Sequence, residues 1–439
     1  MCRNGSSRWM SCGGGGLPPT KMPAGGQTRP STTTTFFGHE LEPLIERVIR
    51  ALFRGDAVED KGDPTSHLRC RPTIGSRDAA TAADSQTLVS VCSYNVLAPS
   101  YVKEAHQPFA YVDFPWCAAK AMSPQRRFGR VLAEVKSLGA DVVGFQEVQR
   151  EVLDRHLQST LKEMGYGDLF FESKTLGYGH QCKEGLLTAV RSDRFTVEHK
   201  ATVDLDERVK KVARRLAGTR VSEDDIEALG LPGGNVGQVL MLRCRRSGRL
   251  LLFANVHIHY YWLRPDRQCL QISAMVGAIA ECATQWGVDL KETPLCFVGD
   301  FNTVPQIGSR ANPGYSILSR GCIDWKHDST RLLGSTPLFQ LLTNHAGMSC
   351  EEVADMMKPS QGMGLTSVYA NLMGREPTFT NHTGPLFADC LDYIWVSGGL
   401  RPISCLGMPP RWAVWRYVGA PNLEFPSDHF SLRAELAFV

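Results

Sequence analysis

The chain has 439 residues, of which 43% are hydrophobic and 21% are charged, a composition typical of a soluble globular protein. Lysine and arginine exceed aspartate and glutamate by 48 − 45 = 3, which excludes a strongly charged surface over the whole molecule. No apolar run approaches the ~20 residues that a membrane-spanning helix needs, and the 14 cysteines are scattered singly. We therefore expect a soluble, intracellular protein with no transmembrane segment and with buried, reduced thiols.

The N-terminal part differs in composition from the rest. Residues 1–38 are rich in Gly, Ser, Thr and Pro and contain no acidic residue, which predicts a disordered tail. An acid-poor start that contains arginine is also typical of a transit peptide, and the sequence fits both interpretations. Residues 39–86 predict an amphipathic helix with apolar positions between Leu41 and Phe53, then a linker over 55–86. We expect this helix to dock on the main domain; a helix that binds a partner or a membrane surface is the alternative.

The main domain is predicted over 87–439. It opens with a strand over 88–97 that carries Asn95 near its end, and a helix starting at Ser123-Pro124 follows. The next apolar run ends in Glu147, whose carboxylate would lie at the end of a second strand.

Residues 203–230 form a charged insertion with helical character and the most basic local composition of the chain. A solvated helix face explains this composition most simply. A guide for an RNA backbone is the alternative.

Two apolar runs around Ser247-Gly248 predict a hairpin whose second strand ends in His257. A helix is predicted over 266–286. The apolar run 294–302 follows it and carries Asp300 and Asn302 at its end. These two residues are two apart, so they project to the same face of an extended backbone.

Two more acidic positions occur near the C-terminus. A predicted strand over 390–396 carries Asp392, and Asp428 and His429 open the predicted final strand. Segment 303–375 has weak periodicity, and we assign it no function. Strands and helices alternate throughout, but the hairpins favour mixed sheets over a purely parallel sheet.

Eight polar side chains therefore lie at the ends of predicted strands: Asn95, Glu147, His257, Asp300, Asn302, Asp392, Asp428 and His429. Each alone could be a turn residue or a satisfied polar group. A set this rich in oxygen ligands suits Mg²⁺ or Mn²⁺ better than Zn²⁺, which prefers Cys and more His.

Six short motifs occur in the same order as in a known family: Ser93-Tyr-Asn-Val-Leu-Ala98, Gln146-Glu-Val148, Asn255-Val-His257, Gly299-Asp-Phe-Asn302, Leu391-Asp-Tyr-Ile394 and Pro426-Ser-Asp-His429. In these the chain resembles the exonuclease–endonuclease–phosphatase superfamily. The resemblance implies an α/β fold, a four-layered sandwich of two packed mixed β-sheets flanked by helices.

Within the superfamily the chain is most similar to the deadenylase-type group, and in it to the mitochondrial branch of 2′,5′-phosphodiesterases that also act as poly(A) 3′-exonucleases. The similarity lies in the segments Phe114-Pro-Trp-Cys-Ala118, Glu184-Gly-Leu186 and Glu376-Pro-Thr-Phe-Thr-Asn381. It implies a Mg²⁺-dependent 3′-to-5′ exoribonuclease that trims adenine-rich RNA 3′ ends and releases AMP. It also implies a mitochondrial location, with a cytoplasmic one as the alternative.

The resemblance assigns a role to each matching residue. Glu147 would be the main ligand of one or two Mg²⁺ or Mn²⁺ ions, with Asn95 nearby and Asp428 assisting. Asp300 would orient or deprotonate the attacking water, and Asn302 would bind the scissile phosphate. His257 and an Asp392–His429 pair would contact the same phosphate, while Asn381 and Phe387 would bind the terminal adenine, although the loop before Phe387 is one residue longer than in the family.

Two other functions fit the same sequence. A phosphatase of a nucleotide or lipid headgroup could use the same core residues. A non-catalytic RNA-binding scaffold would be favoured by loss of a core residue, and none is lost. The sequence does not choose between 2′,5′ and 3′,5′ linkages.

Overall fold

The computed structural model describes residues 63–75, 87–102, 114, 116–117, 119–174, 184–217, 222, 224, 229, 234–260, 263–344, 346–359, 363–384 and 387–439. These residues all belong to one compact unit, Ile49–Val439. The predicted tail over 1–38 and the predicted helix between Leu41 and Phe53 lie outside the described residues.

The strands in the described part of the chain are β1 Thr73–Gly75, β2 Leu88–Asn95, β3 Val142–Gln149, β4 Tyr166–Ser173, β5 Glu184–Arg191, β6 Phe195–Asp204, β7 Val236–Cys244, β8 Leu250–His257, β9 Leu295–Asp300, β10 Gln306–Ile307, β11 Arg310–Ala311, β12 Thr366–Ser367, β13 Asn381–Thr383, β14 Phe387–Asp389, β15 Asp392–Val396, β16 Leu400–Leu406 and β17 Leu432–Phe438.

The α-helices are α1 Ala119–Met122, α2 Pro124–Leu138, α3 Arg150–Val152, α4 Gln158–Glu163, α5 Leu205–Ala217, α6 Pro265–Gln285, α7 Pro313–Arg320, α8 Arg331–Gly334, α9 Pro337–Asn344, α10 Cys350–Met356, α11 Val368–Met373 and α12 Arg411–Trp415. A π-helical turn, Leu153–Leu157, joins α3 to α4, and 3₁₀ turns occur at Ser66–Cys70 and Pro99–Tyr101.

Two mixed sheets form the frame of the fold. The first has the strand order β1-β16-β17-β2-β3-β5-β4 and the second β12-β15-β9-β8-β7-β6. Each contains one parallel pair, β2 with β3 and β8 with β9. A helix makes the crossover in both cases, α2 in the first sheet and α6 in the second. The carboxyl ends of parallel strands joined in this way are where α/β sheets usually bind ligands.

Alternation of side chains along the strands explains why the sheets pack into four layers. On β2, Val89 and Val91 belong to the core between the sheets, while Cys92 and Tyr94 belong to the core under α2. The outer face of the second sheet packs against α5 and α6 through residues such as Phe297. Each large side chain that is fully buried in this way stabilises the fold by ~1.5–3 kcal/mol. The predicted four-layered sandwich of two mixed sheets is confirmed.

Helix α2 illustrates how the sequence determines its own boundaries. Pro124 occupies the first turn, where its missing N–H costs nothing, and Gly139 ends the helix with φ 56°. Phe128, Val131 and Val135 share the buried face, as the apolar spacing predicts.

The predicted linker is wrong for residues 63–75. This segment adds β1 to the edge of the first sheet by pairing with β16. Its Arg71 is buried and donates hydrogen bonds to the Gly407 and Ser431 carbonyl oxygens at 2.9 and 2.5 Å. The domain therefore begins before Thr87, because polar contacts, which hydrophobic periodicity does not show, attach this segment.

The hydrophobic pattern does not reveal β4, β6 or β16. β4 and β6 are the outer strands of their sheets, and the burial along them is irregular rather than alternating. The amphipathic pattern that identifies a half-buried strand is weak at such edges.

The charged insertion consists in part of helix α5. Leu205, Val209 and Ala213 are buried, whereas Lys211 and Arg215 are exposed, so the basic residues form a solvated face. No helix in the described part of the chain is both long and apolar enough to cross a membrane. The eleven described cysteines are all free thiols, and seven of them are buried, so the expected burial holds only in part.

Candidate active site

The carboxyl ends of the two parallel strand pairs meet at one end of the sandwich. β2 ends at Asn95, β8 at His257 and β9 at Asp300, and Glu147 lies near the end of β3. Two crossovers of the same type thus bring polar side chains from both sheets to one place. The structure brings together the residues that the sequence predicts at strand ends.

Strand pairing places three site residues side by side on the second sheet. Asp300 on β9 lies opposite His257 on β8 and Asp392 on β15. Gly299 makes this approach possible, since a Cβ there would lie 2.1 Å from the Val256 carbonyl oxygen. Asp300 is 1% exposed and occupies the middle of the row.

The first sheet supplies an amide that joins the two sheets. Asn95 Nδ2 donates to Glu147 Oε1 and to Asp300 Oδ2, both at 2.9 Å. One buried side chain therefore fixes the distance between the two carboxylates. Because both amide hydrogens are donated to these carboxylates, Asn95 is a positioning residue as well as a predicted metal neighbour.

Glu147 reaches the site through an irregularity in β3. Its φ is 61°, which is unusual for a residue with a side chain. The register of β3 with β5 shifts between Phe145 and Val148, so the strand carries a bulge at this position. The backbone N–H of Ala98 donates to Glu147 Oε2 at 2.8 Å and holds the redirected carboxylate. β3 continues to Gln149, so Glu147 lies within the strand and not at its end.

His429 forms a pair with Asp392. Its Nδ1 lies 2.8 Å from Asp392 Oδ2, and the Thr380 hydroxyl donates to the same oxygen at 2.6 Å. The other nitrogen, Nε2, lies 3.6 Å from Asp300 Oδ2. His429 and Asp428 precede β17, which begins only at Leu432, so the prediction that they open the final strand is wrong.

Buried acidic side chains lie close together at the site, and the pKa values of Asp300 and Glu147 are raised as a result. Burial and the Asp392 carboxylate raise the pKa of Asp300 to about 7, although His429 acts in the opposite direction. Burial and the charges of Glu184 and Asp428 raise the pKa of Glu147 to about 8. The acids at this end of the sandwich outnumber the cations that face them.

The pKa values of the two histidines shift in opposite directions. Burial would lower the pKa of His429, but Asp392, Asp300 and Asp428 outweigh it and raise the pKa well above the ordinary value. Burial and the nearby Lys174 ammonium lower the pKa of His257 well below it. The surroundings thus favour the protonated form of His429 and the neutral form of His257.

The tautomer of His257 follows from its neighbours. Lys174 Nζ lies 3.2 Å from Nδ1, and an ammonium can only donate, so Nδ1 accepts. The ring proton therefore resides on Nε2, which faces Asp300 Oδ2 at 3.5 Å.

Two groups of side chains are suited to hold a cation. Glu147, His257 and Asp300 form one and Asp300, Asp392 and His429 the other, with ligand atoms within 4.8 Å of one another in each. Carboxylate oxygens dominate both sets, as hard divalent cations prefer. A cation would also offset the repulsion among the buried acids, so the residues present fit a metal ion. Asp428 belongs to neither group, and its role as a metal ligand stays a prediction.

Asn302 is the second site residue with a left-handed backbone, with φ 48°. Its own N–H donates to Asp300 Oδ1 at 3.0 Å, and its side-chain amide donates to the Ile258 carbonyl at 2.9 Å. These contacts place Asn302 beside Asp300 and fix its orientation. The predicted extended backbone through Asn302 is wrong, because β9 ends at Asp300 and Asn302 is left-handed.

The two predicted substrate-binding residues lie on the β13–β14 hairpin. Asn381 Nδ2 donates to Asp428 Oδ2 at 3.2 Å, so the hairpin is linked to the segment that carries His429. Phe387 lies on β14 opposite Thr383 and is partly exposed. Both residues are near the site, and their contact with adenine stays a prediction.

Sequence reasoning missed Glu184 and Lys174 as members of the site. The half-buried Lys174 ammonium donates to Glu184 Oε1 at 2.8 Å, and the Tyr101 hydroxyl donates to the same oxygen at 2.7 Å. Glu184 begins the apolar run of β5, a carboxylate at the end of a strand like the others, and this pattern could have revealed it.

Arg127 is a further residue that sequence reasoning did not identify. It is 1% exposed, and its guanidinium donates to the Val96 and Leu97 carbonyl oxygens, both at 2.7 Å, and to Pro426 O at 3.2 Å. It therefore ties the loop after β2 to the loop before His429.

The sequence matches the Endonuclease/Exonuclease/phosphatase family over residues 92–429. Curated relatives include the CCR4-Not complex 3′-5′-exoribonuclease subunit Ccr4 of Phaeosphaeria nodorum, 23% identical over 80% of this chain and 60% of that protein. Another is human 2′,5′-phosphodiesterase 12, 25% identical over 80% of this chain and 51% of that protein. The chain thus spans about half to three fifths of the length of these relatives.

Solved structures share the fold. ANGEL2, described as a 2′,3′-cyclic phosphatase, gives a TM-score of 0.59 at 23% identity and covers 84% of this chain and 98% of its own. The human Nocturnin catalytic domain gives a TM-score of 0.51 at 18% identity, over 85% of this chain and 99% of its own.

Proposed function

Because the chain belongs to the Endonuclease/Exonuclease/phosphatase family, we propose that it is a Mg²⁺- or Mn²⁺-dependent phosphodiesterase that trims oligoadenylate or poly(A) from RNA 3′ ends in the 3′-to-5′ direction. The observation that carries the proposal is the position of Asp300. Its carboxylate lies between His257 and Asp392 on one sheet and accepts from Asn95 on the other. The names of the relatives, a 3′-5′-exoribonuclease and a 2′,5′-phosphodiesterase, support hydrolysis of a phosphodiester.

Asp300 is suited to act on the attacking water. Its pKa near neutrality lets it accept a proton and hold it while the phosphorus–oxygen bond breaks. Asn95 fixes one of its oxygens, so the carboxylate cannot rotate away from the reacting water.

His429 is suited to stabilise the charge that develops on the phosphate. The bond from Nδ1 to Asp392 orients the ring and leaves the Nε2 hydrogen directed into the site. His257 presents its own Nε2 hydrogen from the neighbouring strand, and Asn302 borders the same space. These donors surround the place where a phosphate would lie.

Glu147 would be the principal metal ligand, with the Asp300 and Asp392 carboxylates within reach of a cation, while the two histidines present N–H groups and would act as donors and not as ligands. A bound Mg²⁺ or Mn²⁺ would neutralise phosphate oxygens and stabilise the departing ribose oxygen. Without a cation, the Glu147 carboxylate faces the charges of Glu184 and Asp428, and the Asp300 carboxylate faces that of Asp392, which is why a cation suits this site.

The test is hydrolysis of defined oligoadenylates. The purified full chain is incubated with Mg²⁺ and either the 2′,5′- or the 3′,5′-linked trimer, and AMP is measured over time. We expect AMP to be released one residue at a time from one or both isomers, and EDTA to stop it. Turnover of a panel of phosphomonoesters without turnover of either trimer would overturn the proposal in favour of a phosphatase.

We also propose that residues 1–38 direct the protein to mitochondria, because this segment contains arginine and no acidic residue. Full-length and 39–439 chains fused at the C-terminus to a fluorescent protein are compared in cells. Mitochondrial signal from the full-length fusion only is expected. The same distribution of both fusions would refute the proposal.

A further inference from the structure

Helix α12 exposes an unusual surface close to the candidate site. Its Ala413 and Val414 are buried, and Val414 packs with Phe379 and Phe430 in a small separate core. The opposite face carries Trp412 and Trp415, which are 65% and 54% exposed. Two large exposed aromatic rings on one short helix mark a candidate interaction surface.

The two tryptophans are accompanied by cations. Arg411, which begins the helix, and Arg416, which follows its last residue, are also exposed and flank the rings. Arg416 pairs with Glu424, and Arg411 lies close enough to His382 to lower the pKa of that imidazole, an effect in which burial is the larger cause. We define the aromatic face as Arg411, Trp412, Trp415 and Arg416.

A hydrogen bond fixes the aromatic face to the β13–β14 hairpin, which carries Asn381 and Phe387. Trp415 Nε1 donates to His382 Nε2 at 2.9 Å, and His382 lies on β13 directly after Asn381. The backbone of His382 donates to Asp428 O and accepts from Ala420 N, both at 2.9 Å. The helix, the hairpin and the segment that carries His429 are thus connected by successive hydrogen bonds.

The β13–β14 hairpin packs closely against the chain after α12. A Cβ on Gly419 would lie 2.4 Å from the Gly384 nitrogen, and a Cβ on Gly384 would lie 2.7 Å from the Trp116 ring. The Trp116 indole donates to the Pro421 carbonyl at 3.2 Å. This packing adds a second connection between the hairpin and the segment that follows α12.

We propose that the aromatic face is a stacking platform for unpaired bases of the RNA upstream of the nucleotide that is removed. Exposed aromatic rings beside arginines are the usual means of holding single-stranded nucleic acid without regard to sequence. Neighbouring tryptophans on one helical face suit two successive bases. The inference rests on the proposed function, because it assigns the platform to the same RNA chain whose 3′ end enters the site.

The bonds to His382 and Asp428 favour RNA over a protein partner as the occupant. A protein interface would need no connection to β13, whereas an RNA chain that leaves the site must pass over its rim. Adjacent residues of β13 connect the two ends of this path. Asn381 bonds to Asp428 beside the site, and His382 bonds to Trp415 on the aromatic face. Bases beyond the first would therefore meet the tryptophans.

The test compares a long and a short ligand on the full chain. Binding of 5′-fluorescein-labelled 3′,5′-linked decaadenylate and diadenylate is measured by anisotropy in EDTA, which prevents cleavage. The variants are Trp412→Ala/Trp415→Ala and, as the matched control, Trp412→Phe/Trp415→Phe, which keeps two rings but loses the bond to His382. Unfolding midpoints confirm that each variant is folded.

We expect the alanine pair to weaken decaadenylate binding at least about tenfold more than diadenylate binding, the range that stacking of one base provides. A factor of ten corresponds to about 1.4 kcal/mol. The phenylalanine pair should recover most of the loss. Equal losses for both ligands, or wild-type affinity of the alanine pair for decaadenylate, would overturn the platform.

A separate measurement distinguishes this outcome from failure of the proposed function. If wild-type protein with Mg²⁺ cleaves neither trimer, the proposed function fails. If it cleaves them and the alanine pair trims decaadenylate with an unchanged KM, only the platform fails. A KM for decaadenylate that rises in the alanine pair and returns in the phenylalanine pair supports the platform.

Discussion

Two buried acidic residues on opposite sides of the first sheet show how differently a carboxylate can be used. Glu134 on α2 lies against His67 at 3.0 Å and Arg71 at 3.4 Å, and it accepts from Ser431 and Tyr94 as well. Burial alone would raise its pKa, but these partners outweigh burial and lower the pKa to about 2. Its charge is neutralised within the fold.

Glu147 is buried to a similar degree but faces other acids, and its pKa moves the other way, to about 8. Asp300, bridged to it by Asn95, behaves in the same manner. Glu134 therefore stabilises the fold through a paired charge, whereas ionisation of Glu147 and Asp300 is opposed by neighbouring acids and would be favoured by a bound cation.

The largest effect is expected from Asp300→Asn. The substitution keeps the shape of the side chain and removes the proton acceptor, so AMP release from oligoadenylate should fall about 10³-fold or more. The unfolding midpoint in EDTA should not fall, because a charge that other acids repel is removed. Activity close to wild type would contradict the role of Asp300.

Glu134→Gln should reduce the stability of the fold, whereas Asp300→Asn should reduce activity. Removing the charge leaves Arg71 buried without its anion, and losses of this type cost about 3–5 kcal/mol. The free energy of unfolding in urea measures the loss. Glu147→Gln in EDTA is the matched control, and its free energy of unfolding should fall little or should rise. Equal losses of stability in the two variants would show that the two carboxylates do not differ in role.

The pH dependence of stability should also distinguish the two acids. The folded pKa of Glu134 is depressed to about 2 from the ordinary 4.5, so its contribution is present above pH 4.5 and is lost as the pH falls toward 2. Between pH 5 and pH 3 the wild type should lose about 2 kcal/mol more than Glu134→Gln. If the free energies of unfolding of wild type and Glu134→Gln changed in parallel with pH, the partners of Glu134 would not be stabilising its carboxylate.

The smallest effect concerns metal affinity. Glu147→Gln should raise the Mg²⁺ concentration needed for half-maximal AMP release at least about tenfold, the lower limit seen for groups around a metal. Glu134→Gln should leave that concentration unchanged. An unaltered Mg²⁺ requirement in Glu147→Gln would remove Glu147 from the metal site.

The sequence was sufficient to predict the layers and most of the site, for a physical reason. Central strands and their crossover helices have strong periodicity, so β2, β3, β8, β9, α2 and α6 were predictable together with the residues at their ends. The register that puts Asp300 between His257 and Asp392 was not, because pairing of β15 with β9 joins segments about ninety residues apart.

Features that depend on tertiary contacts were missed. The left-handed backbone of Glu147 and the bulge beside it leave no trace in the hydrophobic pattern. Segment 63–75 is rich in polar residues and resembles a linker, although Arg71 and His67 are buried against Glu134. Lys174 is an ordinary lysine in the sequence, and only the fold places it beside His257.

Thermal unfolding during a Mg²⁺ titration tests the central claim most directly, since a ligand that binds only the folded state raises the midpoint. We expect wild type and Glu134→Gln to gain equal increments in the unfolding midpoint, and Glu147→Gln/Asp300→Asn to gain none. A rise in the double variant equal to that of wild type would show that the cation binds elsewhere.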